Sequence, residues 1–289
     1  FANTYLMEKK KMQGRHFFVF VLCLFLCFPI FSEEEFCPPI GVRLLSYGNY
    51  QEGAWTHLPS IGVKYILISV PPVDQVAEMM KKLNEHGLKV LVMRGEADLT
   101  QDSCVQQLEE QFKICSQMGA RFLFLSAKRQ DTPKEVVFER LHRAGDIAEK
   151  YNVTLVLETH PDLGTNGDVQ VETMKAINHP RVRVNFDTGN ITYYNQNTDA
   201  VAELKKSIPY VATVEFKDHT AEFETWNFPA LGQGKVNFPE ILKILKEHHY
   251  NGPITIEFEG IKGEELTEEQ TKEAIEKSVK YLHSIGCFK

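Results

Sequence analysis

The chain has 289 residues, 25% of them charged, and Asp plus Glu outnumber Lys plus Arg by 39 to 32 for a formal net charge of −7. That balance argues against nucleic acid as a partner, because binding to a phosphate backbone runs on neutralisation by Lys and Arg. The length suits one large α/β domain. At the start of the chain, Lys9, Lys10, Lys11 and Arg15 precede an apolar run from Phe17 to Phe31, followed by Ser32 and the acidic Glu33, Glu34 and Glu35. This is the layout of a secretory signal. The run falls short of the ~20 apolar residues of a membrane-spanning helix, so residues 1–32 are expected to be an N-terminal extension and signal peptide that leaves no stable membrane span after cleavage. Removing four basic residues and one acidic residue takes the net charge from −7 to −10. The expected location is exported (secreted, periplasmic or secretory-pathway lumen), with a signal-anchored form as the alternative.

Residues 33–289 read as a single domain in which strand-like and helix-like patterns alternate eight times. The predicted strands are Gly41 to Ser46, Tyr65 to Val70, Lys89 to Arg94, Arg121 to Ser126, Thr154 to Glu158, Arg183 to Asp187, Ala212 to Lys217 and Ile254 to Phe258. Between them lie stretches such as DSCVQQLEEQFKICSQMG and NFPEILKILKEHHY, whose apolar residues recur at helical spacing. Several open on Asp, Asn or Thr and close on Gly or Asn, as helix caps require. The connection from Tyr47 to Gly62 carries the weakest helical pattern. Eight such units predict a closed (β/α)8 TIM barrel. The open doubly wound alternative lacks its GxGxxG or GxxxxGK[ST] phosphate loop.

The last four strands each end on a carboxylate: Glu158 in VTLVLETH, Asp187 in VRVNFDTG, Glu215 in ATVEFKDH and Glu257 in PITIEFEG. Side chains alternate faces along a strand, so each acid falls opposite an oily face made of residues such as Leu155, Leu157, Val184, Phe186 and Ile256. In a barrel the reactive groups come from the carboxyl ends of the strands. Carboxylates crowded there need a cation or a proton, and a divalent metal ion is the expected answer. The competing reading makes them ion-pair partners in an ordinary barrel interior.

Read together, LETHP, NFDTGN, VEFKDH and the LGQG segment leading to ITIEFEG resemble the xylose isomerase-like barrel superfamily, in particular its sugar (phosphate) isomerase and epimerase branch. The resemblance implies one divalent metal, Mn²⁺ or Mg²⁺ first, held by Glu158, Asp187, Glu215 and Glu257, and a small sugar or polyol substrate. It further implies that Glu158 and Glu257 are the catalytic acid–base pair, moving a proton next to a carbonyl through an enediolate. Two positions depart from the family pattern. The seventh-strand motif, usually HxKD, is Glu215-Phe216-Lys217-Asp218, and the sixth, usually DTGH, is Asp187-Thr188-Gly189-Asn190. An all-oxygen set favours magnesium, manganese or calcium over zinc, unless His219 supplies a nitrogen. His160, Asn190, Lys217 and Arg94 are candidate substrate-binding residues, with Glu96 and Lys128 weaker ones at the predicted top of the barrel.

Metal-dependent isomerisation or epimerisation is the leading expectation. A dehydratase or lyase using the same site, and a catalytically inactive barrel that binds a carbohydrate or another partner, are the alternatives. Cys37 and Cys287 flank the first strand and the last helix, whose ends meet when a barrel closes, and form a disulfide candidate. Cys104 and Cys115 lie 11 positions apart on one predicted helix, about 16 Å at the helical rise and too far to bond. Sequons occur at Asn152 and Asn190.

Overall fold

The computed structural model describes residues 36–286. The expected export signal and Cys287, the expected partner of Cys37, lie outside the described residues; Cys37 itself is exposed. Among the described residues no helix is long and apolar enough to cross a membrane.

In chain order the elements are β1 (Ile40–Arg43), α1 (Gln51–Ser60), β2 (Tyr65–Ser69), α2 (Val76–Glu85), β3 (Lys89–Arg94), α3 (Cys104–Met118), β4 (Phe122–Leu125), α4 (Lys134–Lys150) and β5 (Thr154–Glu158). There follow α5 (Gly167–Ile177), β6 (Val182–Asp187), α6 (Thr188–Tyr194), α7 (Ala200–Ser207), β7 (Val211–Phe216), β8 (Asn227–Phe228), α8 (Phe238–Glu247), β9 (Ile254–Ile256), β10 (Gly260–Ile261) and α9 (Glu268–Ser284). All strands but β8 and β10 form one parallel barrel in sequence order, closed where β1 pairs with β9. Most predicted strands fall within a residue of the observed ones. The clearest difference is the first, where the chain leaves β1 after Arg43 and enters a 3-10 turn at Leu44–Tyr50.

Local chemistry sets the helix ends. Asn166, Asp199 and Asn237 each accept a hydrogen bond from a backbone N–H in the first turn of α5, α7 and α8. Thr267 and Gln270 cap α9 reciprocally. Asp187 is both the last residue of β6 and the cap of α6, accepting from Gly189 N and Asn190 N at 2.9 Å each. A predicted ligand is thus held by the helix it starts.

The barrel wall sorts its two faces as the alternation predicts. Leu155, Leu157, Val184, Phe186 and Ile256 pack outward into the main core against the helices. The inward face holds a separate small cluster, Leu67, Val92, Phe124 and Val156, that plugs the lower interior. Above it the inward residues turn polar. The Arg43 guanidinium lies 5.4 Å from the centre of the Phe124 ring, so Phe124 separates the dry plug from the charged mouth. Truncating it with Phe124→Ala is expected to cost about 3–5 kcal/mol, measured by chemical denaturation; a loss below 1 kcal/mol would show that the plug does not support the mouth.

Candidate active site

Glu158, Asp187, Glu215 and Glu257 all converge at the carboxyl end of the barrel, and all are buried. Two buried cations lie among them. Arg43, from the end of β1, donates from Nη1 to Glu215 Oε1 at 3.3 Å and to Glu257 Oε1. The Lys217 ammonium stands 3.3 Å from Asp187 Oδ2, 3.2 Å from Glu257 Oε2 and 2.8 Å from Glu259 Oε2. Glu158 accepts from the Ser126 hydroxyl at the end of β4. Glu215 accepts on its other oxygen from Asn185 Nδ2 at 2.9 Å, and Asn185 in turn accepts from Thr213 Oγ1 at 2.6 Å.

This packing separates the carboxylates electrically. Burial raises Asp187 to about 7, with Lys217 opposing it. Burial, reinforced by Glu257, raises Glu215 well above the usual carboxylate range. For Glu257 burial also pushes upward, but Lys217 and Arg43 outweigh it and hold the group below its ordinary value. Burial alone would weaken Lys217 as a cation; Asp187, Glu257 and Glu259 reverse that and keep it charged. Glu257 is therefore an ionised carboxylate gripped by two cations, beside two acids that ionise reluctantly.

One ligand atom from each of Glu158, Asp187 and Glu215 lies within 4.8 Å of the others. Asp187 Oδ2 is buried and accepts no hydrogen bond, although the Lys217 ammonium stands 3.3 Å from it. A cluster of buried carboxylate oxygens with accepting capacity left over suits a hard divalent cation. His219 does not complete it with nitrogen. Its Nε2 lies 2.9 Å from Thr225 O, which requires that nitrogen to donate, and its Nδ1 faces the Thr192 hydroxyl at 2.8 Å and Ala221 N at 3.2 Å. Both ring nitrogens are engaged in holding a loop.

The mouth encloses a cavity of about 230 Å³ lined by Glu158, Glu257, Lys217 and Arg43 together with the expected His160, Asn190 and Arg94. Arg94 is paired with Glu96 at 3.0 Å, and Lys128 is solvent-exposed. Asn190 is buried and donates to Thr159 O at 3.0 Å, so its sequon is not displayed at the surface. Asp218 accepts from Gly232 N and Gly234 N at 2.8 Å, from His219 N at 2.9 Å and from Val236 N at 3.2 Å. It shapes the LGQG turn, in which Gly232 has φ +83° and a side chain at Gly234 would collide with Asp218.

Several lining residues escape the sequence reading. Arg43 and Glu259 carried a usable signal: Arg43 is a charge at the tip of an apolar strand, and Glu259 repeats Glu257 at a spacing of two. The aromatic wall of Tyr193, Tyr194, Trp226 and Phe228 carried none, because its members sit on α6, a loop and β8 with no shared period.

A closed parallel barrel with an acid-lined mouth at its carboxyl end defines the class: a (β/α)8 protein built around a carboxylate site. The chain belongs to the xylose isomerase-like TIM barrel family, whose model matches residues 58–285. Among curated proteins it is 28% identical over 139 residues to an inosose dehydratase of Bacillus licheniformis, covering 43% of this chain and 46% of that protein. The chain thus matches about half the length of such relatives. Its fold is similar to that of D-psicose 3-epimerase from Clostridium cellulolyticum solved with D-tagatose (TM-score 0.70, 12% identity, 87% of this chain and 100% of that chain). It is also similar to a xylose isomerase-like TIM barrel protein from Mycobacterium smegmatis in complex with magnesium (TM-score 0.69, 16% identity, 86% of this chain and 96% of that chain).

The buried charge network generates a stability prediction. Arg43→Met leaves Glu215 and Glu257 without their shared guanidinium, and removing one partner of a buried ion pair costs about 3–5 kcal/mol. Urea unfolding at neutral pH should show that loss, and should show part of it recovered in Arg43→Met/Glu215→Gln, where Glu215 no longer carries a charge and Glu257 keeps Lys217 as its cation.

Proposed function

We propose that the protein is a metal-dependent enzyme that moves a proton next to the carbonyl of a small sugar or polyol, giving isomerisation or epimerisation. The observation that carries this reading is the difference between Glu257 and its neighbours. Glu257 is kept ionised by Arg43 and Lys217 and lines the cavity, so it stands there in the form that accepts a proton. Glu158, on the same cavity and hydrogen-bonded to Ser126, is the partner that returns the proton.

Glu158, Asp187 and Glu215 would hold the cation, and their all-oxygen donor set favours Mg²⁺ or Mn²⁺. When bound, such an ion polarises the substrate carbonyl and offsets the charge of the enediolate. The chain's own groups do the rest. Glu257 removes the proton from the carbon beside the carbonyl. Lys217, fixed between Asp187, Glu257 and Glu259, sets the charge around that base. Glu158 delivers a proton, and its position on a separate strand permits delivery to a different face or a different carbon. Elimination of water from the same enediolate is the second reading, supported by the sequence similarity to inosose dehydratases; a product lighter by one water distinguishes it.

Solvent-deuterium incorporation beside the carbonyl of a keto sugar, with Mn²⁺ or Mg²⁺ present, tests the proton transfer. Glu257→Gln should reduce the exchange rate about 10²–10⁴-fold, the usual contribution of a general base. Exchange that survives this substitution undiminished would assign the base elsewhere.

Cation binding is tested separately by thermal melting. Because burial holds Asp187 at about 7, its ionisation in the metal-free protein costs stability as pH rises from its ordinary value towards 7. Proton and cation compete for the same oxygens, so the stabilisation given by Mg²⁺ or Mn²⁺ should grow as pH climbs through this window. A gain independent of pH would remove Asp187 from the ligand set.

A further inference from the structure

The barrel strands are all parallel and follow one another in chain order, so the segments that lead from each helix into the next strand gather at the end opposite the mouth. These segments, residues 61–64, 86–88, 119–121, 151–153, 178–181, 208–210 and 248–253, contain no Asp or Glu. They and the strand starts they feed carry Lys64, Lys89, Arg121, Arg181 and Arg183. Backbone hydrogen bonds set these starts side by side: Lys89 N donates to Lys64 O at 2.9 Å, Arg121 N to Leu91 O at 3.4 Å, Thr154 N to Arg121 O at 2.9 Å and Leu155 N to Arg181 O at 2.8 Å. Lys64, Lys89 and Arg121 are exposed. Arg181 and Arg183 donate to neutral oxygens, Asn152 Oδ1 at 3.1 Å and His179 O at 2.9 Å. Among the described residues none of the five has a carboxylate within ion-pair distance. The lysines in the last turns of α2, α4 and α8 have an ordinary task, offsetting the negative ends of those helices, and the nearby Glu85, Glu149 and Glu247 each stand within a turn of one of them. The five belong to no helix and answer no acid.

A basic end on a chain of net charge −7 is a separation of charge, because the mouth-side segments carry Glu96, Asp162, Glu222, Glu224, Glu264 and Glu265. Separated charge orients a protein in an external field: an anionic surface attracts the basic end and repels the mouth. The five cations are spread along the arc from β2 to β6, ~20 Å at the usual strand spacing, which matches a broad sheet of anionic groups better than a single polyanionic strand. Chain continuity points the same way. Phe36 packs on the core and Pro39 O accepts from Ile254 N at 3.0 Å, so the chain enters the barrel at this end, and the apolar run Phe17 to Phe31 lies upstream of that entry. We propose that the end of the barrel opposite the mouth is a docking face for a bilayer rich in anionic lipid, holding the protein with its mouth turned to the aqueous phase. Juxtamembrane lysines and arginines are drawn to such lipids in this way. The docking face is independent of the chemistry at the mouth.

The test is flotation of the full chain with vesicles of phosphatidylcholine alone and of phosphatidylcholine mixed with phosphatidylglycerol. The wild type should bind the mixed vesicles more tightly, and the preference should shrink as salt is added. Lys64→Glu/Lys89→Glu/Arg121→Glu, all at exposed positions, should weaken binding to the mixed vesicles ~10-fold or more and leave binding to phosphatidylcholine, which reports the apolar run, unchanged. Lys128→Glu/Lys235→Glu/Lys262→Glu makes the same change in net charge at exposed mouth-side positions and should leave both unchanged. Thermal melting checks that each variant folds; the milder Lys64→Gln/Lys89→Gln/Arg121→Gln, expected to give a smaller loss in the same direction, replaces the reversal if that does not fold. Equal wild-type affinity for the two vesicle types overturns the docking face, as does an equal loss in the two charge-reversal variants. Binding to polyuridylic acid that the basic-end variant abolishes, with vesicle binding intact, overturns it in favour of nucleic acid.

Discussion

Everything at the mouth of this barrel follows from one charge balance. Four buried carboxylates, Glu158, Asp187, Glu215 and Glu257, share the space with two buried cations, Arg43 and Lys217, while a fifth, Glu259, pairs with Lys217 from a position partly open to solvent. Fully ionised, the buried groups leave two negative charges uncompensated in a place where solvation is poor, and uncompensated buried charge is among the most expensive things a fold can hold. Protons can make up the difference, which is why Asp187 and Glu215 resist ionisation. A single divalent cation can make it up equally well, and would return both acids to their charged forms. The same arithmetic explains why Glu257 differs from them, since of the four buried acids it lies nearest to both cations.

The balance is also structural. Arg43 sits at the end of the first strand, while its partners Glu215 and Glu257 lie at the ends of β7 and just beyond β9, and β9 is the strand that pairs with β1 to close the barrel. The ion pairs therefore span the closing seam. On the other side, Thr188 at the start of α6 donates to Lys217 O at 2.8 Å and accepts from Lys217 N at 3.0 Å, fixing the lysine's backbone to the turn capped by Asp187. Site and seam therefore share the same ion pairs, and a change that loosens either should be felt in both.

This explains what the sequence could and could not reveal. Strand positions and the four acidic tips were legible because alternation on a half-buried strand is a local signal, readable without knowing any neighbour. The charge partners were harder. Arg43 ends the four-residue strand IGVR, and nothing nearby in sequence says that its counter-ions lie 172 and 214 residues away. Strands of two residues, as in the β8 and β10 strap that carries Trp226, are too short to show a period at all. Asp218 and His219 were legible as polar residues near a strand end. Their task of organising the LGQG turn and its neighbouring loop appears only once the backbone donors around them are in place.

The departure on the seventh strand then acquires a physical meaning. Where the family pattern has a histidine, a neutral ligand at ordinary pH, this chain has Glu215, which adds a negative charge at the bottom of the mouth. Arg43 meets that charge directly, while Asn185 occupies the other carboxylate oxygen. A Glu–Arg pair in place of an imidazole leaves the net charge of the site unchanged. The demand for one divalent cation is then unchanged too, although a nitrogen donor has become an oxygen donor. Oxygen-only coordination favours the harder ions, magnesium and manganese, over zinc. Within the proposed cation site, the substitution exchanges a nitrogen donor for an oxygen donor, with the Arg43 guanidinium 3.3 Å away meeting the added charge.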